Sequence, residues 1–144
     1  MPRSRVRHSP VTIEEPVKAK CLALLRAAGW YAEKVHGEAM QTRGTLDILS
    51  CVEGRLLTLE GKRHGEHLTP LQKYTAGRIY ASGGWAAPVR DAELVRVMLE
   101  VGITHCCRFC LTPLVHPDSQ GIDQLTVHCP NANNHEYEEL YHDK

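Results

Sequence analysis

Asp47, Glu60 and Lys62 put two carboxylates and an ammonium on two short apolar runs, residues 44–51 and 55–62, separated by a Glu53-Gly54 step. Carboxylates at the ends of adjacent strands can hold one divalent ion, and the ion relieves the repulsion that would otherwise raise their pKa values. Oxygen donors select a hard cation, and Mg²⁺ is the default because it retains waters for chemistry. A deprotonated metal-bound water can attack a phosphodiester, and Lys62 can stabilise the charge that develops or orient that water. The competing reading makes Glu60 and Lys62 plain solvent-facing strand residues, since an isolated Glu-x-Lys triplet arises often by chance. The apolar flanks of Asp47, Thr45-Leu46 and Ile48-Leu49, weigh against it, because a lone charge is costly there.

A second group of residues suited to metal chemistry lies near the other end. Cys107 and Cys110 are two residues apart, Cys129 follows eighteen residues later and His135 five beyond that. This spacing fits a tetrahedral structural Zn²⁺ site. Cys106 is a rival for Cys107, and His128 or His116 for the fourth ligand. Short strands at residues 111–115 and 125–128 would complete a zinc ribbon. Cys21 and Cys51 stand singly in apolar runs and read as small core residues.

Both groups need elements to position them. Residues 1–12 are basic with two prolines and read as a flexible arm. Thr12 and Glu15 have the form of a capping box, and Val17, Cys21, Leu24, Leu25 and Ala28 follow at helical spacing. Residues 30–35 read as a strand. The two apolar runs form an antiparallel hairpin across Glu53-Gly54. On the second, Glu60 and Lys62 share a face, and the apolar residues fall on both faces, as in a central strand; on the first, Asp47 shares its face with Leu49 and Cys51. Thr69-Pro70 opens a helix to about Ser82. Residues 85–89 form a strand that Pro88 places at an edge or an end, and Asp91 caps a last helix. The predicted order is α-β-β-β-α-β-α, an α/β class.

Composition sets the outer bounds. The chain has 144 residues, 42% hydrophobic and 24% charged, enough for one domain or a small domain with an appended module. No apolar run can span a bilayer, and no apolar stretch follows the basic first residues, so the chain reads as cytoplasmic, with no membrane partner. The net charge of zero divides into +6 over residues 1–90 and −6 over residues 91–144. The basic part suits a polyanion such as nucleic acid. The acidic part, with Glu136 and Glu138-Glu139, predicts a tail that stabilises the fold or meets proteins, not one that grips duplex backbone.

In its order of motifs the chain resembles the virus-type replication-repair nuclease (VRR-NUC) family of the PD-(D/E)-x-K nuclease superfamily. The resemblance rests on Glu14, Gly44-Thr45-Leu46-Asp47, Glu60-Gly61-Lys62 and Leu68-Thr69-Pro70-Leu71-Gln72-Lys73, and on the helix, glycine, strand and helix that follow. Leu46 departs from the family pattern, which has proline before the aspartate. The resemblance implies a restriction-endonuclease-like core over residues 13–102; the cysteine and histidine spacing makes residues 103–144 a small C-terminal zinc ribbon. It implies Asp47 and Glu60 as ligands of Mg²⁺ (or Mn²⁺), the Gly61 carbonyl as a third and Glu14, with Glu15 as rival, as an outer ligand. Lys62 and Gln72 become catalytic, and Arg43, His36 and Lys73 become candidate DNA contacts; for Arg43 and His36 a solvated loop role is the simpler reading. The implied activity is a Mg²⁺-dependent DNA endonuclease that acts as a homodimer on branched DNA such as Holliday junctions. The rivals are a zinc-containing binding or regulatory protein on a nuclease-like scaffold, without catalysis, and a sequence-specific restriction enzyme.

Overall fold

The computed structural model describes residues 14–35, 43–114 and 129–138. Three helices and four strands follow in the predicted order: α1 (Glu14–Ala27), β1 (Tyr31–Lys34), β2 (Ile48–Val52), β3 (Arg55–Gly61), α2 (Pro70–Ala81), β4 (Trp85–Val89) and α3 (Glu93–Val101). The proposed arm, the first turn of the predicted capping box and the 125–128 strand lie outside the described residues.

The strands form one sheet in the order β1-β2-β3-β4. The first two pairings are antiparallel, and β3 pairs with β4 in parallel. A parallel neighbour requires a crossover, which α2 supplies. Glu53 and Gly54 both take positive φ (50° and 74°), the type I′ turn whose twist matches a two-residue hairpin. β3 is central and nearly all buried, whereas β4, with Pro88, is an edge strand. An edge tolerates proline because a missing N–H costs no ladder bond on the open side.

The sheet separates two apolar clusters. On one face, Cys21 and Leu25 of α1 and Val95 and Met98 of α3 pack on Ile48, Leu57, Leu59 and Val89. On the other, Ala76 of α2 packs with Leu46, Leu68, Ala86 and Tyr137. Tyr137 comes from the C-terminal segment, and its hydroxyl donates to the Ala86 carbonyl at 2.6 Å.

Several sequence expectations change. β2 begins at Ile48, and its buried face is Ile48, Ser50 and Val52. Cys51 therefore points out and is exposed, not a core residue; in a strand, parity decides the side whatever the local composition. Asp91 lies one residue before the helix cap, Ala92, although its carboxylate still accepts the Glu93 N–H at 2.9 Å. Residues 111–114 form no strand and contribute only an isolated bridge between Cys106 and Pro113.

Candidate active site and metal centre

Stepping the β2-β3 register one pair beyond Ile48 and Leu59 brings Asp47 opposite Glu60. The two residues then clasp each other reciprocally. The Asp47 N–H donates to Glu60 Oε2, and the Gly61 N–H donates to Asp47 Oδ2, both at 3.0 Å. Each backbone thus fixes the other strand's carboxylate, so the pair is preorganised by the hairpin itself. Gln72 reaches the same place from α2: its Nε2 donates to Glu60 Oε1 at 2.7 Å. The other end of that amide is held as well. Thr69 caps α2, and Gln72 Oε1 accepts the Thr69 N–H at 2.9 Å, completing a capping box. Gln72 is therefore locked at both ends of its amide, and its aim at Glu60 follows from the helix cap.

Two lysines flank the acids. Lys62 Nζ lies 3.8 Å from Glu60 Oε1, and Lys18 Nζ, from α1, lies 3.2 Å from Asp47 Oδ2. Glu60 is only 6% exposed. Burial pushes its carboxyl up to about 7, and the charge of Asp47 adds to this; Lys62, the Asp47 N–H and Lys18 offset part of it. A buried carboxyl raised this far marks a place where a cation would be welcome. The donor set, two carboxylates and the neighbouring Gly61 carbonyl, has the hard oxygen chemistry that a divalent ion such as Mg²⁺ takes.

Other expected site residues are more dispersed. Arg43 is exposed in the turn that Gly44 seats against Leu71. Lys73 is half-buried and lines a cleft of about 590 Å³ with His67, Arg90, Asn133 and Asn134. Glu14 opens α1, but its side chain, like that of Glu15 and the whole of His36, lies outside the described residues. Lys18 was not singled out from sequence; its signal is the helical i, i+4 step from Glu14.

The ligand atoms of Cys107, Cys110, Cys129 and His135 lie within 4.8 Å of one another. His135 Nε2 is 3.4 Å from Cys107 Sγ, and Cys110 Sγ is 3.5 Å from Cys129 Sγ. A tetrahedral Zn²⁺ with sulfur ligands at about 2.3 Å needs sulfurs roughly 3.8 Å apart, so the cluster fits zinc. Backbone N–H groups of Phe109 and Asn131 point at Cys107 and Cys129 sulfurs, each at 3.4 Å. Cys110 is pulled down to about 4 by the Cys107 thiol, against its own burial, while that thiol rises far above its ordinary value. Cys106 is not in the cluster; its thiol donates to the Gly102 carbonyl. His116 and His128 lie outside the described residues.

Residues around the cysteines fasten this module to the core. The other ring nitrogen of His135 meets Glu138, a contact that fixes the ring for ligation. Phe109 stacks on Tyr80 with centroids 4.3 Å apart. The Arg108 guanidinium lies 4.2 Å from the Tyr80 ring. Glu136 accepts from Arg90 at 2.8 Å and from the Leu68 N–H at 2.6 Å, and pairs with His67 at 3.0 Å. Burial opposes its charge, but these donors hold its carboxyl below the ordinary range. With its side chain 6% exposed, Glu136 is not the open surface charge that the acidic tail implied. Its charge is spent on a latch to the loop that leads into Thr69 and Gln72.

The acid pair, Lys62 and Gln72 thus lie together at one end of an α/β sheet. A solved VRR_NUC domain has the same fold, with a TM-score of 0.53 and 22% identity over 62% of this chain and 97% of that one. No protein-family model matches the chain, and no curated protein matches it. The restriction-endonuclease-like architecture is therefore that of a VRR_NUC domain, followed by a Cys₃His cluster. Among the described residues, no helix is long and apolar enough to cross a membrane.

Proposed function

We propose that this chain is a VRR-NUC-type, Mg²⁺-dependent endodeoxyribonuclease that acts as a homodimer on branched DNA such as Holliday junctions. The observation that carries the reading is the reciprocal clasp of Asp47 and Glu60 with Gln72 and Lys62 on the same carboxylate. Residues 13–102 are the nuclease domain and residues 103–144 a zinc-bearing module that stabilises it.

In this reading Asp47, Glu60 and the Gly61 carbonyl hold the divalent ion, with Glu14 as an outer ligand. When bound, the ion supplies an activated water and neutralises charge on the scissile phosphate. Glu60 is kept in place by the Asp47 N–H and by Gln72. Its burial favours the bound ion, because the ionised carboxylate is costly without one. Lys62 brings a positive charge beside Glu60, where it can orient the attacking water or stabilise the developing phosphorane. Gln72 and Lys73 sit at the α2 N-terminus, where the positive end of the helix dipole favours a phosphate. Arg43 and His36 are further candidate DNA contacts. A two-fold partner would present two such sites to the two strands of a junction.

The test is cleavage of duplex, flap and four-way junction DNA with Mg²⁺ or Mn²⁺, beside Asp47→Asn and Lys62→Ala. Junction cleavage that both substitutions abolish supports the reading. Absence of cleavage on every substrate favours a binding protein on the same scaffold, and cleavage that survives both variants removes this site.

A further inference from the structure

We infer that Lys18 is a positioning residue of the carboxylate site: its ammonium is the resident counter-ion of Asp47 and competes with a divalent cation for that carboxylate. The inference rests on the reading of Asp47 and Glu60 as metal ligands, and it concerns how the site is held before the ion arrives.

Three observations converge on Lys18. Its ammonium is 3.2 Å from Asp47 Oδ2, the oxygen that also accepts the Gly61 N–H. The contact is largely shielded, with the lysine side chain 14% and the aspartate 22% exposed, so solvent screens it less than a surface pair. The third observation is space. Lys18 reaches Asp47 across Gly61, and a Cβ at Gly61 would stand 2.9 Å from Lys18 Cε and 3.0 Å from Cγ. The middle residue of Glu60-Gly61-Lys62 is thus glycine where the lysine stem passes. A side chain there would push the stem aside.

Charge balance gives the consequence. Asp47 lies beside Lys18 and Glu60 beside Lys62, so each carboxylate has an ammonium next to it. A divalent cation entering beside Asp47 meets the Lys18 ammonium as a like charge at short range. Either the ammonium withdraws from Oδ2 or the ion binds against it, and both weaken binding of the ion. A displaced Lys18 remains tethered at the rim, where a phosphate would receive it. The lysine thereby neutralises Asp47 until ion and anionic substrate are both present.

The measurement is calorimetric titration of the intact, zinc-loaded protein with Mn²⁺ in the absence of nucleic acid. Native protein, Lys18→Met and Asp47→Asn are compared, with Lys18→Gln as a second neutral variant in case the first does not fold. The expectation is Asp47-dependent Mn²⁺ binding that becomes about tenfold or more tighter when the lysine charge is removed. Loss of a merely structural contact would weaken binding, so a gain in affinity distinguishes the two roles. Mn²⁺ binding only in the neutral variants also supports the inference. Asp47-dependent binding that is unchanged or weaker in both neutral variants overturns it and leaves the metal site standing. No Asp47-dependent binding in any protein overturns the metal-site reading and the inference with it.

Discussion

The carboxylate pair and the Cys₃His cluster are both metal-type constellations, but the chain builds them in opposite ways. Asp47 and Glu60 are fixed by a β-ladder: each strand's N–H holds the other strand's carboxylate, so the strand pairing itself sets the geometry. The cysteine cluster sits on turns, with residues 107–110 and 129–135 contributing no strand or α-helix. Its sulfurs are brought together by two N–H···S contacts and by Phe109, Tyr137 and Glu136 packing on the core. The first group rests on the sheet ladder, whereas the second is a Cys₃His cluster carried on turns, of the kind that a bound metal stabilises. The two share the Leu46 cluster, since Leu46 precedes Asp47 and packs with Tyr137. The leucine that stands in place of the expected proline thereby joins the acid pair to the tail.

Substitutions can break this contrast. The largest effect is expected at the acids: Asp47→Asn should lower cleavage by about a thousandfold, with only a small drop in melting, about 1 kcal/mol, from the lost Lys18–Asp47 pair. A large loss of stability would mean that the site is structural. Cys110→Ser, or zinc removal by a chelator, should do the reverse in its first effect. Melting should fall by the equivalent of about 3 kcal/mol or more, and residues 129–138 should become open to proteolysis. A chelated protein that melts like the native one would show that packing alone holds the module.

A finer cut separates the zinc from the latch. Glu136→Ala leaves Arg90 without its buried carboxylate and should cost about 3 kcal/mol while zinc content stays at one per chain. If Gln72 is positioned through the Leu68 loop, cleavage should fall as well, which melting curves and turnover below the transition would resolve.

The two regions should also respond to pH with opposite sign. Glu60 is raised to about 7, so without metal its ionisation costs stability, a cost absent below pH about 4.5 that grows as pH rises to 7. Metal affinity at Asp47 and Glu60 should accordingly rise by up to about tenfold per unit below pH 7, then level off. Glu136 is lowered, so its contribution is present above its ordinary value and lost as pH falls below it. Titrating Mn²⁺ affinity and melting temperature over pH 4–8 checks both signs. At the small end, Cys51→Ser should change stability by less than about 0.5 kcal/mol, as befits an exposed strand residue.

Local patterns were legible where one stretch of chain contains the whole signal. The Glu53-Gly54 turn, the Thr69-Pro70 start of α2 and the central character of β3 are local, and each has its predicted form. Cys51 is exposed against expectation because an apolar run does not say which parity faces the core. Glu136 reads as surface charge because its partner, Arg90, is identified only by folding. The role of Lys18 likewise depends on a strand that begins thirty residues later.

By itself the sequence determined the order of elements and the two groups of residues that come together, because helical and strand periods and ligand spacings are short-range. Only the tertiary structure decided that Gly61 makes room for Lys18, that Gln72 is locked at both ends, and that Glu136 ties the cysteine module to the α2 loop. Those are contacts between elements distant in the chain, set by sheet register and by which face each helix covers, and no local spacing encodes them.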